Sequence, residues 1–76
     1  MRAPQQLILD LRARRRELEI TQQDVADHLG ISRAAVGHWE IGHSEPLLRS
    51  VIGYAHLLDC HLIAVGVDGG PIARVT

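Results

Sequence analysis

Over the first sixty positions, apolar residues recur at helical rather than strand spacing. Leu7, Ile8, Leu11 and Leu18 make a first stripe, and Pro4 stands where a first helical residue would, which predicts helix one from Pro4 to about residue 17. Val25, Ala26 and Leu29 make a second, with Gln22, Gln23, Asp24, Asp27 and His28 on the other faces. Ala35, Val36 and Trp39 line a third. After a loop over Ile41 to Glu45, Pro46 is expected to open helix four, in which Leu47, Leu48, Val51, Ile52, Ala55 and Leu58 form a broad apolar face that ends softly near Asp59. The pattern then changes. His61 to Val67 is rich in branched residues, is too short for another good helix and stops at Asp68-Gly69-Gly70-Pro71, which predicts a single β-strand.

The joints between helices two and three are the most specific part of the pattern. Thr21 is placed to cap helix two and Asp24, three residues on, to complete a capping box. Gly30 supplies the left-handed backbone that ends this helix cheaply, Ile31 turns back to the core, Ser32 caps helix three and Gly42 terminates it. Two helices of about eight to ten residues joined by so tight a turn must cross steeply, so the first turn of the second projects outward. Arg33, Ala34, Gly37 and His38 are left facing away. This is the wiring of a helix-turn-helix over residues 21–41, and it points to DNA.

The residues Arg15, Leu18, Ile20, Thr21-Gln22, Val25-Ala26, Leu29-Gly30, Ile31-Ser32-Arg33, Val36, Trp39-Glu40, Gly42 and Pro46 together resemble the lambda-repressor and Cro type of helix-turn-helix protein, over roughly residues 5 to 58. The resemblance is specific because it fixes helix starts, core positions and the turn glycine at once. It implies an all-α, four-helix domain over residues 1–59, with residues 60–76 as a strand and tail used for dimerisation. It also implies a homodimeric, sequence-specific transcriptional regulator, repressor-like and phage or bacterial, with helix three in the major groove of a palindromic operator. Gln22 matches the family position that bonds a DNA phosphate, where free helix amides also favour an anion. Arg15 and Glu40 match the partly buried pair that ties helix one to the end of helix three, and such a pair serves orientation more than stability. His43 and Ser44 fall in the loop that in relatives often meets the DNA backbone. Glu19 departs from the pattern, since relatives usually carry Gly there to end helix one.

Individual side chains keep a plainer reading beside the functional one. Arg33 has the length and fork to read guanine O6 and N7 or to bind phosphate, or it is a surface arginine. Ala34 suits a thymine methyl and Gly37 a close backbone approach, or both are spacers. His38 suits a base or phosphate, and a surface histidine is nearly as good a reading. Ser32 caps and is within reach of phosphate. Gln22 has an ordinary solvated helix-start residue as its plainer reading, Arg12, Arg14 and Arg16 are phosphate candidates or a solvated face, and Trp39 is assigned to the core.

Charge is the main argument against DNA. The formal net charge is −1 and the sequence pI about 6.5, not the basic balance of a typical nucleic-acid module. Distribution softens this, because all eight basic residues are Arg and five of them (Arg2, Arg12, Arg14, Arg15 and Arg16) lie within the first sixteen positions, while Asp59 and Asp68 lie toward the other end. Seventy-six residues make one small domain that buries too little surface to be very stable alone, so association is expected on size grounds. A lone strand has a costly open edge, and the expectation is that Leu62, Ile63, Ala64, Val65 and Val67 pair across a two-fold axis with a second copy; the other readings are an extended tail or a continuation of helix four. The absence of an apolar run of membrane length or of an apolar leader gives a cytoplasmic expectation, and the single Cys60 excludes an internal disulfide. His43, His56, Cys60 and His61 are too loosely spaced for a metal site to be expected, no Ser, His and Asp arrangement or phosphate-cradling loop stands out, and neither catalysis nor a cofactor is expected. Two other functions stay open: the antitoxin half of a toxin–antitoxin pair, for which Asp68 to Thr76 is short, and a protein-interaction module on the same fold that has lost DNA binding.

Overall fold

The computed structural model describes residues 4–65 and 71–74. Four helices follow one another: α1 (Pro4–Glu17), α2 (Gln22–Leu29), α3 (Arg33–Glu40) and α4 (Leu48–Leu57). The fold is all-α. α2 packs on α3 and α4, and α1 packs on α3 and α4, so the helices close round one core. That core is Ile8 and Leu11 from α1, Val25 and Ala26 from α2, Val36 from α3, and Val51, Tyr54, Ala55 and Leu58 from α4 and its end. The α1 and α4 sets lie at three- and four-residue steps, and the partly buried Leu29 and Trp39 stand three to four residues beyond Val25, Ala26 and Val36, which is why the stripes were readable.

The joints form as their residues dictate. Thr21 Oγ1 accepts from the Asp24 amide at 3.0 Å while Asp24 Oδ2 accepts from the Thr21 amide at 2.9 Å, so both halves of the capping box are present. Those bonds hold the fully exposed Asp24 carboxyl below its ordinary range. Gly30 adopts φ 69°, and the Ile31 amide reaches back to the Ala26 carbonyl at 3.0 Å. Ser32 Oγ accepts from the Ala35 amide at 3.2 Å to start α3.

Three expectations need correction. Pro46 does not open α4. It lies in the loop, and Leu47 occupies the cap position without a side-chain bond, so α4 begins at Leu48. Leu47 and Leu48 are consequently not in the apolar face: they are 60% and 63% exposed, because the chain reaches the core only a turn later, at Val51. The third concerns the C-terminal segment. Its described part is two short strands, β1 (Ile63–Val65) and β2 (Pro71–Arg74), paired antiparallel in register Ile63 with Arg74 and Ala64 with Ala73, followed by an irregularity before Val65 meets Pro71. A strand without a partner in its own chain was expected, but β2 supplies one. Leu62 is half-buried against the helical core and Ile63 is exposed. Val67 lies outside the described residues. No helix among the described residues is long and apolar enough to cross a membrane.

The end of α1 shows what the departure at Glu19 costs. The Glu19 amide bonds the Arg16 carbonyl and the Ile20 amide bonds the Arg15 carbonyl, which turns the chain sharply and puts Glu19 at φ 57°. A side chain with a Cβ is strained there by about 1–2 kcal/mol, partly offset by the greater freedom that glycine has when unfolded. Glu19→Gly should therefore stabilise the domain by about 0.5–1 kcal/mol in chemical denaturation. An unchanged or lower midpoint would show that the Glu19 turn is not strained.

Candidate nucleic-acid interface

Helix α3 ends on a carboxylate turned inward. Glu40 is 2% exposed, and the charge is matched by Arg15 of α1, itself 7% exposed. Arg15 grips it with both arms, Nε to Oε2 at 2.9 Å and Nη2 to Oε1 at 2.8 Å, and its Nη1 donates to the Ile20 carbonyl at 2.9 Å. The Tyr54 hydroxyl of α4 donates to Glu40 Oε2, while Arg15 Nε also approaches that hydroxyl at 3.2 Å. From α2, Gln22 Nε2 donates to Glu40 Oε1 at 3.1 Å. Arg12 Nε stands 3.7 Å from the same oxygen without a hydrogen bond of its own among the described residues. One carboxylate thus binds side chains from α1, α2 and α4 to the end of α3.

Burial pushes the Glu40 carboxyl up, but the bonds from Arg15, Tyr54 and Gln22 outweigh it and hold the group below the ordinary carboxylate range. The bond to Glu40 raises the Arg15 guanidinium, and burial first, then Glu40, raises the Tyr54 hydroxyl. At neutral pH the cluster therefore contains a carboxylate, a guanidinium and a neutral phenol.

The outward side of α3 is built on this anchor. Ser32, Arg33, Ala34 and His38 are exposed, as are His43 and Ser44 in the loop that follows. The loop folds back on the helix: the His43 and Ser44 amides reach the His38 carbonyl at 2.8 and 3.4 Å, and the His38 and His43 rings lie 4.8 Å apart. Gly37 was expected to face outward, but it is half-buried beside Gln22, whose Oε1 would lie 3.7 Å from an added Cβ. Gln22 is the joint between inside and outside. Its Nε2 holds Glu40, and its Oε1 accepts from Arg33 Nη1 at 3.0 Å. Of the expected residues, Ser32, Arg33, Ala34, His38, His43 and Ser44 are exposed, Gln22 is bonded to Arg33, Gly37 is half-buried, and Arg15 and Glu40 are buried.

Three side chains were not expected beside Glu40: Tyr54, Gln22 and Arg12, the last read as a phosphate candidate or solvated face. Tyr54 follows Val51 by one helical step, so its burial was readable from the stripe, and a buried phenol needs a partner. The bond from Gln22 to Glu40 left no trace in the pattern. No group of three or more metal-binding side chains occurs among the described residues.

The helix-turn-helix family model matches residues 11–64, most of the chain. The chain belongs to that family. It is 38% identical over 53 residues to the uncharacterized HTH-type transcriptional regulator YqaE of Bacillus subtilis, covering 70% of this chain and 46% of that protein. It is also 38% identical over 50 residues to the HTH-type transcriptional regulator DicA of Escherichia coli, covering 66% and 37%. This helix-turn-helix chain thus spans less than half the length of these curated relatives. Among solved structures it is similar to the P22 c2 repressor protein in complex with a synthetic operator, with a TM-score of 0.63 and 30% identity over 71% of this chain and 82% of that one.

The folded pKa of Glu40 lies below its unfolded value, so its contribution to stability is complete above about pH 4.5 and is lost as pH falls through the lower folded value. Asp24 acts in the same direction. Glu40→Gln should cost about 3 kcal/mol at pH 7, since it leaves Arg15 buried without its counter-charge. It should also flatten the acid limb of stability, leaving the part due to Asp24. Parallel acid limbs in urea titrations of the two proteins would contradict the assignment.

Proposed function

We propose that this chain is a DNA-binding transcriptional regulator of the repressor kind that acts as a homodimer on a palindromic operator, with α3 of each copy in successive major grooves about 34 Å apart. The observation that carries this reading is the exposed row of Ser32, Arg33, Ala34 and His38 on a short helix whose far end is fixed by Glu40 to the other three helices. Such a helix presents side chains at a set angle to a groove. The likeness to a repressor solved on its operator supports the partner, double-stranded DNA.

Roles follow from position. Arg33 is the long donor of the row; one guanidinium nitrogen is occupied by Gln22, and the others remain for a guanine edge or a phosphate. Gln22 and Ser32, at the starts of α2 and α3, suit phosphate oxygens, where free helix amides add their own attraction. Ala34 offers a methyl to thymine, and His38, His43 and Ser44 meet the neighbouring strand. Residues 1–59 do the reading in this account, and 60–76 are accessory. With a net charge of −1, little affinity comes from long-range attraction. Two copies acting together compensate, because the second contact is made at high effective concentration.

Selection of bound fragments from random DNA gives the site, and titration of that site with wild type and Arg33→Ala tests the reading. The substitution should lower affinity about tenfold or more and relax preference at one position of each half-site, with the circular dichroism spectrum unchanged. Undiminished binding by Arg33→Ala, or no selected sequence at all, would overturn it.

A further inference from the structure

The Glu40 cluster holds one donor more than its carboxylate can bond. An ionised carboxylate offers about four lone-pair positions, two on each oxygen. Arg15 Nε and the Tyr54 hydroxyl fill those of Oε2, while Arg15 Nη2 at 2.8 Å and Gln22 Nε2 at 3.1 Å fill those of Oε1. Arg12 Nε stops 3.7 Å from Oε1, shut off from solvent and without a hydrogen bond among the described residues, although its side chain as a whole is 32% exposed. A buried guanidinium nitrogen without an acceptor is costly, and such groups are few in folded proteins. Of the side chains bonded to Glu40, Arg15 and Tyr54 are buried, whereas Gln22 is half-exposed and already joined to the surface through Arg33.

We infer that Arg12 is a positioning residue that replaces Gln22 on Glu40 when Gln22 turns its amide to a DNA phosphate. The inference rests on the phosphate role of Gln22 proposed above. Gln22 Nε2 cannot reach outward without vacating a site on a buried carboxylate, and an empty site there would loosen the end of α3 just when that helix must hold its angle. Arg12 removes the conflict. Closing the gap of 3.7 Å to a bonding distance of about 2.9 Å takes a shift of under about 1 Å, and the new bond joins opposite charges, so it is at least as strong as the amide bond it replaces. The carboxylate then keeps all its bonds, and Arg12 gains the acceptor that it lacks in the free protein. Arg15 and Tyr54 cannot exchange in this way, because both are sealed beneath the surface. Arg12 thus acts through Glu40 and touches no base.

A double-mutant cycle on the stability of the full chain tests the exchange without DNA, because Gln22→Ala vacates the same site. With Arg12 present, Gln22→Ala should lower the folding constant by no more than about threefold, since Arg12 moves in. In an Arg12→Met background the same change should lower it about tenfold or more, and Arg12→Met alone should leave stability unchanged or raised. A double variant that fails to fold while both singles fold would be the same result in stronger form. Equal losses from Gln22→Ala in the two backgrounds would overturn the inference, as would either single variant failing to fold. With the selected DNA site added, the Arg12 Nε–H resonance in the nitrogen–proton correlation spectrum should move toward the bonded position of the Arg15 one. An Arg12 resonance that does not move while the Gln22 side-chain amide shifts would overturn the inference too. A chain that selects no DNA would overturn the regulator reading instead, and the cycle would still decide whether Arg12 takes the place of Gln22.

Discussion

The carboxylate of Glu40 is the point on which the geometry of this domain turns. Its two oxygens are engaged by Arg15, Tyr54 and Gln22, and those three side chains come from the three helices that surround α3. A buried carboxylate without partners would cost several kcal/mol, so the residue is tolerable only when all of them are in place. This makes the arrangement selective rather than strongly stabilising, since an apolar replacement of similar shape would cost no desolvation. A charge that is satisfied in one packing alone penalises the other angles that α3 could adopt against the same apolar core. Val36 buries α3 against the core, and Glu40 ties the end of that helix to the three around it.

Gln22 extends the same logic to the surface. Its amide has one end on a buried carboxylate and the other on an exposed guanidinium, so the position of Arg33 is linked to the interior through a single side chain. Gly37 leaves room for that side chain to lie across α3. A longer residue at 37 would compete with it. The small residue at Gly37 therefore belongs with the order of this face as much as with any groove it approaches.

The apolar period and the caps were legible in the amino-acid order, because Thr21, Asp24, Gly30 and Ser32 act on backbone groups a few residues away and need no knowledge of the rest of the chain. The pair Arg15 and Glu40 was legible through resemblance, and its bidentate geometry agrees with that expectation. What failed depended on distance in space. Leu47 and Leu48 have the right spacing for a buried face, yet nothing local says that α4 starts at Leu48 and meets the core only at Val51. β2 is four residues long, too short to show a period, so β1 looked solitary. The role of Gln22 needed the position of Glu40, eighteen residues further on.

The central claim is that the Glu40 cluster sets the angle of α3 more than it sets stability. The most direct measurement is of amide residual dipolar couplings in α2 and α3, for wild type and for a protein carrying Arg15→Met and Glu40→Leu together. Replacing both charges at once removes the desolvation cost along with the pair, so the domain should remain folded with similar stability. The account predicts that the couplings of α3 shift or average relative to those of α2. Couplings that fit the same α2–α3 geometry in both proteins would contradict it.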